Sequence, residues 1–395
     1  MIYRNLLGER VSMLGFGAMR LPVGEDGEIN LPLATEMIER ALASGVNYFD
    51  TAYPYHGGKS EIVLGEILSR YPRGSFFLAN KFPGHQLMKR YDPAAIFEEQ
   101  LKKCGVEYFD FYLLHNVYER SMGVYTDPEL GILDYFLEQK KNGRIRHLGF
   151  STHALTDGLR EFLDLAGEHM EFCQIQMNYL DYTLQDAKGK YELLTERGIP
   201  VIVMEPVRGG KLASLDEKYV RLLDREAPGA SAASFAFRYL MDFDNISVVL
   251  SGMSNMEQVL DNIATFNTLN PLSDSEKEIL SGVAYDMMNS VPCTSCRYCT
   301  DGCPMGLDIP LLIATCNELR VSSNLNASMR VEFLPEDKKP EACISCGACV
   351  SICPQSIDVP AILGELSERV SKMPRWADIS RERELAAERL KAAKK

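Results

Sequence analysis

The chain has 395 residues, of which 46% are apolar and 25% charged, the balance of a globular protein long enough for one large and one small domain. A formal net charge of −13 argues against a nucleic-acid partner. No stretch approaches the roughly 18–20 uncharged apolar residues that cross a bilayer, so no membrane partner is expected. The N-terminal "MIYRNLLGERVSMLGFG" carries charges inside its apolar pattern, unlike a secretory signal. Eight of the cysteines fall in two tight runs, and only Cys104, Cys173 and Cys316 lie elsewhere. Closely spaced cysteines suit metal ligation better than disulfide stapling, and the expected location is a reducing cytoplasm.

In chain order, "YRNLLGERVSMLGFG" predicts a small hairpin with Gly8-Glu9 near its turn, plugging the bottom of the large domain. Strands are predicted over 12–17, 47–50, 76–80, 110–115, 147–151, 172–177, 200–205 and 246–252. Helical patterns lie between them, as in "LATEMIERALASG" (33–45) and "PAAIFEEQLKKCG" (93–105), each closed by a glycine suited to the helix end. Such alternation predicts an α/β fold, a closed (β/α)8 TIM barrel, over residues 1–289. An open doubly wound sheet is the competing fold, but no G-x-G-x-x-G joins the first strand to the first helix.

After Ser290 the character changes. "CTSCRYCTDGCP" from Cys293 and "CISCGACVSICP" from Cys343 are near-copies, running on into "MGLDIP" and "QSIDVP". Pro-bounded helices are predicted at 309–321 and 359–373. The pattern is a duplicated, mainly helical module over 290–375, followed by a charged helical tail over 376–395.

Catalytic side chains of a (β/α)8 barrel belong at the C-terminal ends of its strands. Those ends carry Asp50, Lys81 and His115, with Tyr55 on the loop after Asp50. Each alone reads as packing; together they form a proton-transfer set. Hydride reduction of a carbonyl leaves negative charge on oxygen, which needs a proton. A tyrosine hydroxyl ordinarily titrates near 10, and a nearby ammonium lowers that value. Lys81 is the candidate for this job, Asp50 for positioning it, and His115 for orienting the carbonyl or sharing the relay.

These residues sit in motifs resembling the aldo-keto reductase superfamily. "FDTAYPYHGGKSEIVLGE" is similar to its Asp/Tyr block, "LANKF" to its lysine block and "DFYLLH" to its histidine block. The resemblance implies that Asp50, Tyr55, Lys81 and His115 are a catalytic tetrad, with Tyr55 the general acid/base. It also implies an NADP or NAD cofactor. Ser151, Gln176 and Met204 match the nicotinamide positions, although Thr152 stands where Asn is common. Arg208, Gly209, Gly210 and Lys211 fall where the pyrophosphate is expected. Ser254, Gln258 and Asn262 fall at the adenosine-phosphate loop, which lacks the usual basic side chains. A barrel that keeps these residues without activity is the competing reading.

The C-x2-C-x2-C-x3-C-P runs resemble bacterial dicluster ferredoxins, which implies two 4Fe–4S clusters. Crossed ligation, as in that family, assigns Cys293, Cys296, Cys299 and Cys353 to one cluster, and Cys343, Cys346, Cys349 and Cys303 to the other. The long, helical separation of the runs leaves ligation within each run open. Zinc is the rival metal, but four cysteines in eleven residues are not its usual spacing. A purely structural role for the clusters is the alternative to electron relay.

The combined expectation is a cytoplasmic oxidoreductase acting on a small carbonyl or alcohol and coupled to one-electron transfer. A ferredoxin or flavoprotein is its expected redox partner. Hydride carries two electrons and each cluster accepts one; a flavin is the usual splitter, and no flavin motif is present. The alternative is an electron-transfer or redox-sensing protein whose barrel is a docking body.

Overall fold

The computed structural model describes residues 1–395 except 88, 89, 216, 289, 290, 292, 294–296, 322–324, 354–356, 394 and 395. It divides into two compact units, Met1–Ser281 and Gly282–Lys395.

The first unit opens with an antiparallel hairpin, β1 (Tyr3–Leu6) and β2 (Glu9–Ser12), in which Leu6 pairs with Glu9. The two turn residues are therefore Leu7 and Gly8, both left-handed at φ 58° and 93°, with Glu9 immediately after them. A two-residue loop of this kind matches the twist of the strands it joins. Leu6 and Val11 are fully buried in one apolar cluster with Tyr48, Phe111, Phe172 and Val248 from later strands. The hairpin thus closes one end of the barrel interior, as its apolar pattern predicts.

Eight parallel strands make the barrel: β3 (Leu14–Gly17), β4 (Tyr48–Asp50), β5 (Phe77–Phe82), β6 (Phe109–Val117), β7 (Ile145–Thr152), β8 (Cys173–Gln176), β9 (Val201–Met204) and β10 (Ile246–Ser251). They pair in sequence order, and β10 returns to β3 to close the sheet. Each predicted strand is present, its ends shifted by a few residues. The strands are buried on both faces, so their sequences are apolar runs rather than alternations. One face fills the barrel interior and the other packs on the surrounding helices.

Helices α1 (Leu31–Ala43), α2 (Lys59–Leu68) and α3 (Pro93–Cys104) show why the chain starts and stops them where it does. Asn30 and Asp92 cap the first turns of α1 and α3, each of which begins with proline at its first or second position. Gly45 and Gly105 follow their last turns at φ 91° and 64°, a conformation glycine adopts without a Cβ penalty.

The second unit is helical. One-turn helices Tyr298–Asp301 and Ala348–Ile352 carry the third cysteine of each run, and each is entered through a left-handed residue, Arg297 at φ 66° and Gly347 at φ 76°. Helices Ile309–Val321 and Val359–Ser371 begin alike. Asp308 accepts from Leu311 N, and Asp358 from Ala361 N, each at 3.3 Å. The sequence repeat is therefore a repeat of backbone conformation. Its apolar core includes Leu307, Ile313, Leu363 and Leu366 together with buried Cys299, Cys316 and Cys349. The tail forms one helix, Trp376–Ala393. Among the described residues, no helix is long and apolar enough to cross a membrane.

Candidate active site and cysteine centre

Parallel strands bring all their C-terminal ends to one rim. Asp50 ends β4, Lys81 lies near the end of neighbouring β5, and His115 lies on β6 beside it. Lys81 is fully buried, and its Nζ donates to Asp50 Oδ1 at 2.5 Å and to Thr51 O at 2.7 Å. The same Nζ stands 5.1 Å from the Tyr55 ring centroid, over the ring face. The Tyr55 and His115 rings meet edge-on with centroids 6.1 Å apart. The structure thus collects all four tetrad candidates in one place.

Local chemistry explains how Tyr55 is presented. After Thr51 the chain turns through Pro54, and His56, Gly57 and Gly58 all take positive φ before α2 begins. Two of those three positions are glycine, where that backbone costs least. The loop is pinned by Thr51 Oγ1 to Ser60 Oγ at 2.8 Å, and by Ser60 Oγ donating to Ala18 O at 3.0 Å. Beneath it Glu61, fully buried, accepts from Asn80 Nδ2 and Gln100 Nε2, both at 2.9 Å, and from Lys103 at 3.3 Å. Asn80 precedes Lys81 on β5, so this network ties α2 and α3 to the strand that carries the lysine. No spacing along the chain singles out Glu61, Asn80 or Gln100. Their adjacency is three-dimensional.

Burial governs the titration of the set. It pulls the Lys81 ammonium down and pushes the Asp50 carboxyl up, and their mutual contact opposes both shifts. Burial, reinforced by the charges of Asp50 and Glu205, pushes the Tyr55 hydroxyl well above its ordinary value. The Lys81 ammonium, expected to lower that value, donates to Asp50 and Thr51 O, and burial sets the net direction. Burial also drops His115 well below the usual histidine range, helped by the charges of His85, Lys81 and His153. His85, whose ring centroid is 4.4 Å from that of His115, is pulled by burial to about 4. Burial therefore favours a protonated phenol and neutral imidazoles, beside a Lys81–Asp50 pair held together by direct contact.

The nucleotide candidates lie on the same rim. Ser151 Oγ accepts from Asn116 N at 2.8 Å. Thr152 is used on backbone, donating to Val117 O at 2.6 Å and accepting from Ala154 N at 2.9 Å. Gln176 Nε2 donates to Asp181 Oδ2 at 2.8 Å, and Met204 ends β9. Arg208 is buried and ion-paired with Asp181, so it is held inside the loop after β9. Gly209 and Gly210 come next, with φ of 63° and 95°, and Lys211 is exposed. After β10, Asn255 caps the helix Met256–Phe266 through Gln258 N, Gln258 Oε1 accepts from Ser254 N, and Asn262 donates to Ser251 Oγ. Arg20, which no sequence motif marks, brings a cation to these loops. Its guanidinium is 3.8 Å from Glu205, its carbonyl accepts from Ser254 Oγ at 2.9 Å, and its stem fills the space beside Gly252.

In the second unit, Cys303 from the first run and Cys343, Cys346 and Cys349 from the second line one small apolar pocket, partly open to solvent, together with Met305, Leu307 and Leu363. Among the described residues, no three potential ligands are gathered closely enough to hold a single metal ion. Four thiols around one apolar pocket are the donor set of a cluster sulfur-ligated at its corners. Cys293 and Cys353 are half-buried and Cys299 is buried, while Cys296 lies outside the described residues. Every described cysteine is free of disulfide.

Comparison with known proteins agrees with both units. NADH-specific methylglyoxal reductase of Escherichia coli is 25% identical over 324 residues, 69% of this chain and 95% of its own length. L-galactose dehydrogenase of Arabidopsis thaliana is 27% identical over 313 residues, covering 70% of this chain and 90% of its own. An aldo-keto reductase from Bacillus halodurans, solved in its holo form, superposes with a TM-score of 0.57 at 27% identity, over 72% of this chain and 96% of that one. A 4Fe-4S dicluster domain matches residues 292–357. The aldo/keto reductase family matches residues 13–284, and the chain belongs to that family, with an iron–sulfur domain at its C-terminus.

Proposed function

We propose that the barrel interconverts a small carbonyl and its alcohol with NAD(P), Tyr55 acting as general acid/base. The observation that carries this reading is the buried Lys81–Asp50 pair against the face of Tyr55, whose ring meets that of His115 edge-on. When bound, the nicotinamide supplies or accepts the hydride. The protein's own residues handle the proton and the geometry. The Tyr55 hydroxyl, kept protonated by burial, delivers its proton to the carbonyl oxygen as that atom gains charge. Lys81, anchored by Asp50, is a fixed cation close to the phenolate that remains. His115, neutral, is suited to hydrogen-bond the same oxygen without adding charge. Ser151 and Gln176 are assigned to the carboxamide, and the loops bearing Met204, Arg208–Lys211 and Ser254–Asn262 to the rest of the nucleotide. The segment Gly252–Asn262 contains Glu257 and no Lys or Arg, and Arg20, which reaches it, is paired with Glu205, which favours NADH over NADPH.

The eight cysteines are assigned to two 4Fe–4S clusters. The cavity shared by Cys303 with Cys343, Cys346 and Cys349 supports the crossed partition, leaving Cys293, Cys296, Cys299 and Cys353 for the other cluster. These clusters would exchange single electrons with a ferredoxin or flavoprotein in a reducing cytoplasm. Exposure of Cys346 and of Ile344, 61% accessible, supports reading the second run as the face a partner approaches. The same exposure favours the second reading, a docking barrel whose clusters serve the partner alone.

The deciding experiment uses anaerobically purified protein with its iron and sulfide intact. NADH and NADPH are added in turn while cluster absorbance and low-temperature EPR are monitored, with dithionite as control, and aldehyde reduction is assayed in parallel. Aldehyde turnover that falls by about 10²–10⁴ in Tyr55→Phe supports the enzyme reading. Cluster reduction by a nucleotide joins the two halves in one path. Clusters reducible by dithionite alone, with no aldehyde turnover, favour the docking reading.

A further inference from the structure

The rim of the barrel carries more buried polarity than the tetrad uses. His85 Nδ1, His115 Nδ1 and Asn116 Oδ1 are shut off from solvent with no hydrogen-bond partner. Buried polar atoms are normally paired, so orphans gathered at one place mark where a ligand completes the set. The two histidines adjoin, and Asn116 follows His115 where the strand departs from regular geometry. His85 lies just after β5 and its ring meets that of His115 at 4.4 Å; His115 in turn meets Tyr55 at 6.1 Å, and Asn116 is the next residue along β6.

The backbone here is built for a purpose other than pairing. The ladder between β6 and β7 slips between Leu114 and Val117, and Asn116 sits at φ 56° within the strand. Asn116 N donates to Ser151 Oγ and its carbonyl accepts from Ser121 Oγ, both at 2.8 Å, so the unusual conformation is held from both sides. Departures of this kind re-aim a side chain next to a working site. Burial keeps both imidazoles neutral at neutral pH, so each ring has one donor and one acceptor nitrogen.

We infer that the substrate carries a hydroxyl next to its reacting carbonyl, as an α-hydroxyaldehyde or α-hydroxyketone does, and that Asn116 and His85 select it by hydrogen-bonding that hydroxyl. The inference rests on the carbonyl-reductase reading above. Asn116 Oδ1 can only accept, and a hydroxyl is a donor of matching size. An alkyl aldehyde of equal size would leave the same atoms buried and unpaired. Sites built for a substrate hydroxyl reject the analogue lacking it far more strongly than apolar pockets reject a methylene.

The test compares kcat/KM of the iron-loaded protein for glycolaldehyde and propanal, which have equal numbers of heavy atoms. The wild type should favour glycolaldehyde by about 10–100-fold. Asn116→Gly removes the amide yet suits the positive φ, and His85→Phe keeps the ring shape; each should lower the ratio by about tenfold. Comparing ratios between variants cancels the different hydration of the two aldehydes. A wild-type ratio near or below one overturns the inference. So does a ratio unmoved in both variants, including the case where both aldehydes slow together with a higher nucleotide KM, which would place Asn116 on the nicotinamide. Should Asn116→Gly not fold, the wild-type ratio and His85→Phe still decide. Turnover of neither aldehyde with either nucleotide overturns the carbonyl-reductase reading itself.

Discussion

Lys81 shows how much chemistry one buried ammonium can carry. With no exposure to solvent, it is held by Asp50 and the Thr51 carbonyl and faces the Tyr55 ring. Replacing it by methionine should leave the Asp50 carboxylate buried without its ion partner, a change that typically costs about 3–5 kcal/mol. Thermal unfolding and aldehyde turnover should both suffer, and an unfolding midpoint equal to wild type would contradict the buried pair. The raised Tyr55 value makes a signed prediction for pH. A group whose value is raised stays protonated through neutrality, so carbonyl reduction should be level there and decline only as pH climbs past the shifted value. Alcohol oxidation needs the deprotonated form and should rise with pH over the same range. Profiles of kcat/KM in both directions check this; a reduction rate already declining between pH 7 and 9 would mean that burial does not set the tyrosine.

At the scale of elements, the packing of α2 against α3 positions the tyrosine loop. A Cβ added at Gly65 would stand 2.5 Å from Lys103 O and 2.7 Å from the Cys104 carbonyl, backbone atoms that cannot step aside. Gly65→Ala should therefore destabilise by about 1–3 kcal/mol and disturb the Glu61 network that steadies β5. Chemical unfolding measures the first, and a fall in kcat with little change in KM would report the second. The element boundaries themselves were readable from short-range signals. Strand positions came from apolar runs between breakers, and helix ends from Asn30, Asp92, Gly45 and Gly105. Gly8 marks the hairpin turn in the sequence, whereas its other turn residue, Leu7, is a side chain that avoids positive φ and carries no such local signal.

At the scale of the whole molecule, the two units rest on different physics. The barrel has an extensive apolar core, inside and around its sheet. The C-terminal unit has a small one, and several of its core positions are cysteines that line or adjoin the cluster cavity. Small modules of this kind draw their folding energy from the metal they bind. Removing iron should therefore melt the helices of residues 282–395 while the barrel stays folded. Circular dichroism and limited proteolysis would show a loss confined to the C-terminal unit, with nucleotide binding retained; cooperative loss of both units would refute it.

The order of strands, the duplicated cysteine runs and the four tetrad candidates were all determined by the sequence, because each rests on spacing along a chain whose local conformations repeat. The tertiary structure decided the rest. Only tertiary packing brings His85 against His115, buries Glu61 against Asn80 and Gln100, seats Cys303 among the cysteines of the second run within the helical unit, and draws Arg208 to Asp181 instead of leaving it exposed. It also set the direction of the Tyr55 shift, since burial is produced by neighbours from other strands and is not written in any one segment. Spacing is a local property of the chain, whereas desolvation and orphaned hydrogen-bond partners are properties of what surrounds an atom once distant segments have met.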